Sequence, residues 1–133
     1  MNKSTGFTLI ELMIVLVIIG IVMSIAVPSY QGYVLRSHRT DAHSSLLDIA
    51  ARQERYVAQN VTGYTKNIVA DLKLANANSS KGYYALSVSD APCTKIENCY
   101  TIIATAVGSQ ANDTGCTTIN FDSAGRRTPA ACW

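Results

Sequence analysis

The chain has 133 residues, 48% of them hydrophobic and 15% charged, with a formal net charge of +2. That length is room for one small domain and excludes a multidomain enzyme. Lysines and arginines are interspersed with acids, so no basic block advertises a nucleic-acid binder and the charge balance names no partner.

These averages blend two unlike parts. From Leu12 through Leu35 there is no charged side chain, and apart from Lys3 and Glu11 every charge lies at Arg36 or beyond. The apolar run from Phe7 to Val27 is long enough, at about 1.5 Å per residue, to span about 30 Å of hydrocarbon. A secretory signal that is cut off and discarded has a shorter run with its cleavage site after it. This run also holds an acid, Glu11. A carboxylate there costs a few kcal/mol on insertion, so it needs a partner unless it stays wet near the headgroups. Toward the end of the run, Gly20 and Pro28 flank Ile21, Val22, Ser24, Ile25 and Val27, all weak helix supports, so a gentle kink in a continuous helix is expected there.

From Ser29 to Asn60 only Gly32 interrupts a helical pattern in which Leu35, Ala42, Leu46, Ile49, Gln53 and Val57 recur. Arg36, Arg39, Asp41, Asp48, Arg52, Glu54 and Arg55 mostly fall on other faces, and Asp48 with Arg52 makes an i,i+4 pair. That pattern fits a helix laid on a sheet. Residues 61–80 read as a polar loop with one helical turn around Ile68 to Leu74. The period then changes. Gly82–Asp90, Tyr100–Val107 and Cys116–Asp122 read as strands, and Asp122-Ser123-Ala124-Gly125 reads as a hairpin turn into a fourth, Arg127–Cys132. The expected fold is α+β: one long N-terminal helix packed on a small antiparallel sheet of three or four strands.

Cys93, Cys99, Cys116 and Cys132 all lie in the C-terminal third, behind an export-like element, which favours disulfides in an oxidising compartment. A metal site is not expected: the cysteine spacings are wide, and His38 and His43 lie far upstream. Three disulfide pairings are open. Proximity in the chain favours Cys93 with Cys99 and Cys116 with Cys132. So small a head needs such cross-links, and the second would tether the final hairpin.

The segment Lys3-Ser4-Thr5-Gly6-Phe7-Thr8-Leu9-Ile10-Glu11 resembles the type III signal of type IV pilins and type II secretion pseudopilins. The resemblance implies a leader, 1–6, cut between Gly6 and Phe7 by a prepilin peptidase that then N-methylates Phe7. It also implies a membrane and filament-core helix over 7–28, an amphipathic continuation over 29–60, and a disulfide-bonded head over 61–133. Glu11 would meet the Phe7 amine of a neighbouring subunit, and the stretch from Gly20 to Pro28 would lengthen on assembly. Lys3 would keep the leader cytoplasmic. Arg52-Gln53-Glu54-Arg55-Tyr56, Gly63-Tyr64-Thr65 and the Cys132-Trp133 ending resemble the PilE-like minor pilins, which supports the disulfide pairing above. The implied partners are other pilins, the prepilin peptidase, the inner membrane and its pilus assembly machinery. The implied path runs from the inner membrane, with the head in the periplasm, to an extracellular fibre serving motility, adhesion or DNA uptake.

No enzyme is expected, and no cofactor. His38 and His43 are five apart, about 140° around a helix, so with Asp41, Ser44 and Ser45 they read as a solvated or interface face and not a catalytic triad. Asp90, Asp113 and Asp122 are isolated, which argues against calcium. The triplets at Asn60, Asn78 and Asn112 that match a glycosylation pattern read as polar loops. Arg126 and Arg127, with Lys81 and Lys95 nearby on the sheet's loops, are the candidate phosphate cluster. Two adjacent arginines in a turn are usually a solvated turn, so the alternative of a DNA-receptor pilin rests on the resemblance, since some minor pilins bind DNA, and would use that cluster. A secretion pseudopilin and a membrane-anchored enzyme come after that.

Overall fold

The computed structural model describes residues 6–133, so the leader before Gly6, Lys3 included, lies outside the described residues. The chain divides into two compact units, Met1–Val34 and Leu35–Trp133. One helix, α1 (Leu9–Gln59, 51 residues), belongs to both.

In the first unit α1 is apolar on every face and long enough to cross a membrane. Leu9, Ile10, Leu12, Met13, Val17, Ile21 and Ile25 are all more than half exposed. The helix stays continuous through Pro28, and Ser24 donates its hydroxyl to the Ile21 carbonyl at 2.7 Å, just ahead of the proline.

In the second unit the expected stripe is the packed one. Ala42, Leu46, Ile49 and Gln53 have no exposure, and they face a sheet of β1 (Tyr84–Ser89), β2 (Thr101–Ala106), β3 (Thr118–Asp122) and β4 (Arg127–Thr128). The strands run in the order β1-β2-β3-β4, every neighbour antiparallel. Tyr84 pairs with Ala106 at one end of the sheet, while Ser89, Thr101 and Asp122 share a row at the other. Alternation puts Tyr84, Leu86, Ile102, Ala104 and Ile119 into the core and leaves serines and threonines on the outer face. Asn60 closes α1, its backbone N–H and its side-chain amide both donating to the Tyr56 carbonyl.

The loop after α1 is held by a polar residue in a core position. The Gln53 amide donates to the Thr65 carbonyl and accepts from the Thr65 N–H. The expected turn is present: Asp71 N–H reaches the Asn67 carbonyl at 3.1 Å, burying Ile68 and Leu72. Gly63, at φ 82°, lies so close to Glu97 that a Cβ there would sit 2.6 Å from the Glu97 backbone, which fastens this loop to the β1–β2 connection.

The fourth strand needs correction. It has two residues instead of six, because Pro129 has no N–H to continue the ladder and Ala130–Cys132 turns into a 3-10 helix. The hairpin before it is as expected: Gly125 N–H bonds the Asp122 carbonyl at 2.9 Å, and Gly125 takes the left-handed conformation that a turn of this type requires.

Cys93 is joined to Cys99 and Cys116 to Cys132. The second bridge closes a separation of 16 residues and ties the C-terminal 3-10 turn to the start of β3. Replacing Cys116 and Cys132 together by serine should cost about 3 kcal/mol in the chain-entropy model. Denaturant titration of the detergent-solubilised chain, followed by circular dichroism, checks this as a lowered midpoint.

Candidate functional site

Two regions carry residues singled out from the sequence, one in each unit. In the first, Thr8 and Glu11 form a capping box. The Glu11 carboxylate accepts from the Thr8 N–H at 3.0 Å and the Thr8 hydroxyl at 2.9 Å, and Thr8 Oγ1 accepts from the Glu11 N–H at 3.3 Å. The sole acid of the apolar run is therefore held at the helix start, one turn from Phe7, whose side chain is 88% exposed. Gly6 and Phe7 precede the helix without regular secondary structure.

In the second unit the topology gathers part of the predicted cation cluster. Lys95 lies in the β1–β2 loop, and Arg126 and Arg127 lie in and just after the β3–β4 turn, at the same end of the sheet. A bond from Ser123 N–H to the Tyr100 carbonyl, at 3.0 Å, ties these loops together. Lys81 corrects the grouping: it precedes β1 at the opposite end, where its N–H donates to both oxygens of Asp41. A strand of this length separates the two ends by roughly 17 Å.

The arginines are not equivalent. Arg126 Nε is 2.6 Å from Asp122 Oδ2, so its charge is locally met. Burial alone would push the Asp122 carboxyl up, but the Arg126 N–H and guanidinium outweigh it and hold the group below its ordinary value. That stabilisation is present at neutral pH and is lost as pH falls through the lowered value. Arg127 instead lies over the Trp133 ring, 5.0 Å from its centroid. Lys66 is paired with Asp90 at 2.8 Å, and Lys95 has no ion pair among the described residues.

Other residues are placed differently from the sequence expectation. His38 and His43 do not form a solvated face. His38 stacks on Tyr83 and bonds Gln110 Oε1 at 3.0 Å, while His43 stacks on Trp133 and bonds the Cys132 carbonyl at 2.8 Å. Because Gln110 Oε1 can only accept, His38 Nδ1 carries the proton. Asp41 and Asp113, expected on polar surfaces, are buried. Arg39 clamps Asp113 with two bonds of 2.7 Å, and the Gln110 amide donates to the Leu35 carbonyl, to Tyr84 and to Asp113. Burial raises the Tyr84 phenol above its ordinary value, against the bond from Gln110. This network fixes the β2–β3 connection to α1. No sequence signal identified Gln110, since one glutamine in a polar loop looks like any other. Among the described residues no three His, Cys, Asp or Glu side chains gather as a metal site would need.

Comparison with known proteins agrees with this architecture. A family model described as "Type IV minor pilin ComP, DNA uptake sequence receptor" matches residues 28–120, and the prokaryotic N-terminal methylation motif matches residues 1–27. The "Type IV major alpha-pilin" of Moraxella bovis is 54% identical over 46 residues, 35% of this chain and 29% of that protein. The "Type IV major fimbrial protein FimA" of Dichelobacter nodosus is 42% identical over 73 residues, 47% of this chain and 42% of that protein. The chain thus spans less than half the length of these two curated relatives. A solved type IV pilin from Shewanella oneidensis superposes with a TM-score of 0.54 at 27% identity, covering 74% of this chain and 97% of that one. With the head, the methylation motif and the helix-on-sheet architecture all matched, the chain belongs to the type IV pilin family, in the group described as minor pilin ComP, and is a structural pilin subunit.

Proposed function

We propose that this pilin is a minor subunit of the type IV pilus, anchored in the inner membrane as a precursor with its head in the periplasm and then drawn into the fibre or its initiating tip. The observation that carries this is an apolar helix exposed on every face, with one carboxylate held at its start by Thr8. Such a surface is stable only in lipid or against like helices. Cleavage between Gly6 and Phe7 frees an amine that is mostly cationic at neutral pH. In a bundle of these helices, that amine and Glu11 of a neighbour offset each other's desolvation. Intact-mass measurement of the protein from sheared pili tests this: the mature chain should begin at N-methylated Phe7. A start beyond Val27 would remove the anchor and with it the proposal.

A second role, DNA receptor, is favoured by the description of the family model over residues 28–120 and by exposed Lys95 and Arg127 at one end of the sheet. Arg126 contributes less, being held by Asp122. Duplex retention by the wild type should fall steeply with salt. Replacing Lys95 and Arg127 by alanine should flatten the log-log slope by about two contacts, roughly 0.9 each. Retention that ignores both salt and these substitutions would leave the purely structural subunit.

A further inference from the structure

The aromatic side chains of the first unit all sit at the ends of its apolar run: Phe7 at the start, Tyr30 and Tyr33 just past Val27, and none between Thr8 and Ser29. Of the chain's seven tyrosines these two are the exposed ones, at 69% and 73%, whereas Tyr56, Tyr64, Tyr83, Tyr84 and Tyr100 are half-buried or buried in the head. Three residues apart on α1, Tyr30 and Tyr33 share one face of the helix. Their rings therefore need a partner from outside the chain.

The chemistry and the position of the pair point to the same partner. A tyrosine ring is apolar and its hydroxyl polar, so it is most stable where one end meets hydrocarbon and the other water, as in the headgroup layer of a bilayer. At about 1.5 Å per residue, Tyr30 stands about 4 Å and Tyr33 about 9 Å past Val27. A bilayer about 40–45 Å thick with a core of about 30 Å leaves roughly 5–8 Å of polar layer on each side, which the two rings cover. Charges resume only at Arg36, three residues beyond Tyr33. Packing of one apolar helix on another would not confine aromatics to the ends of the run, since Met13, Val17 and Ile21 are also more than half exposed along its middle and are all aliphatic.

We propose that Tyr30 and Tyr33 form an interfacial collar that sets the depth of α1 in the bilayer, with the lipid headgroup layer as its partner. The collar rests on the membrane-anchored reading above and adds where the lipid ends, between Val27 and Arg36.

The test uses the full chain in nanodiscs of phosphatidylethanolamine and phosphatidylglycerol, with one cysteine introduced at a time. All four native cysteines are paired, so the introduced thiol is the one free to react. A thiol in hydrocarbon does not ionise, so its rate of alkylation by a water-soluble maleimide reads depth. Val27→Cys should be protected and Ser37→Cys should react as in water, with Gln31→Cys, between the tyrosines, at a rate between the two. In the Gln31→Cys background, Tyr30→Ser with Tyr33→Ser should raise the rate several-fold, because the polar layer then begins nearer Val27. Tyr30→Leu with Tyr33→Leu should lower it several-fold, because the apolar run is lengthened. Tyr30→Trp with Tyr33→Trp should leave it unchanged, since indole suits the same layer. Fast alkylation of Val27→Cys with both tyrosines in place would overturn the anchored reading and the collar together. A protected Val27→Cys, with the same Gln31→Cys rate in the serine, leucine and tryptophan variants, would overturn the collar alone and leave the tyrosines to contacts with neighbouring subunits.

Discussion

The Glu11→Ala variant should be made, inserted and folded like the wild type, yet its amount in sheared, purified pili should fall by at least about tenfold. Removing a carboxylate makes residence in hydrocarbon easier, so the membrane stage gains and only the filament stage loses. The capping box sharpens this expectation. Thr8 holds the carboxylate within one chain, so a defect from a frayed helix start and a defect from a missing intersubunit charge are separable. Glu11→Gln retains much of the capping and loses the charge; it should assemble as poorly as alanine. Thr8→Val loses side-chain capping and keeps the charge; it should assemble far better. Wild-type pilus content in Glu11→Ala, measured by quantitative immunoblot against the membrane fraction, would contradict the pairing.

The largest loss of folding stability should come from Asp113→Ala. Asp113 is 6% exposed and its carboxylate receives both Arg39 bonds and one from Gln110, so its removal strands a guanidinium in a site built for a charge, while the Gln110 amide keeps Leu35 and Tyr84 as acceptors. Breaking one side of such a pair costs about 3 to 5 kcal/mol, and for a head of this size the Tm should fall on the order of 20 °C. A double variant, Arg39→Ala with Asp113→Ala, should recover part of the loss, since nothing charged is then left without its partner. Thermal circular dichroism of the detergent-solubilised chain gives both values. Additive losses in the double variant would show that the two side chains act independently.

The residues that were legible in the sequence are those whose signal is periodic or composition-based. The Phe7–Val27 run, the stripe from Ala42 to Gln53, the alternating strands and the Asp122–Gly125 turn each follow from a local rule, and each element stands within a few residues of its expected place. The fourth strand was overextended because the hairpin turn at Asp122–Gly125 implied a returning strand as far as Cys132, whereas Pro129 ends the ladder. The buried polar network was not legible at all. Asp41, Gln110 and Asp113 are separated by up to 75 residues from the groups they meet, and burial of a lone polar residue depends on tertiary partners that no window of sequence contains. The two histidines were misjudged for the same reason: their stacking partners, Tyr83 and Trp133, are distant in the chain. Lys81 was grouped with Arg126 by reach along loops, whereas the strand direction of β1 sends it to the other end. The receptor role, ranked second on the family resemblance and not on its residues, gained ground from the family description over 28–120.

Trp133 is the chain's one tryptophan, and it is stacked on His43, covered by Arg127 and set against Phe121. It therefore serves as a built-in optical probe: excited selectively, it reports on the closing of the C-terminal disulfide region and on nothing else in the protein. Opening that region, by reduction or by loss of the Cys116–Cys132 bridge, should shift its emission to the red before the sheet itself melts.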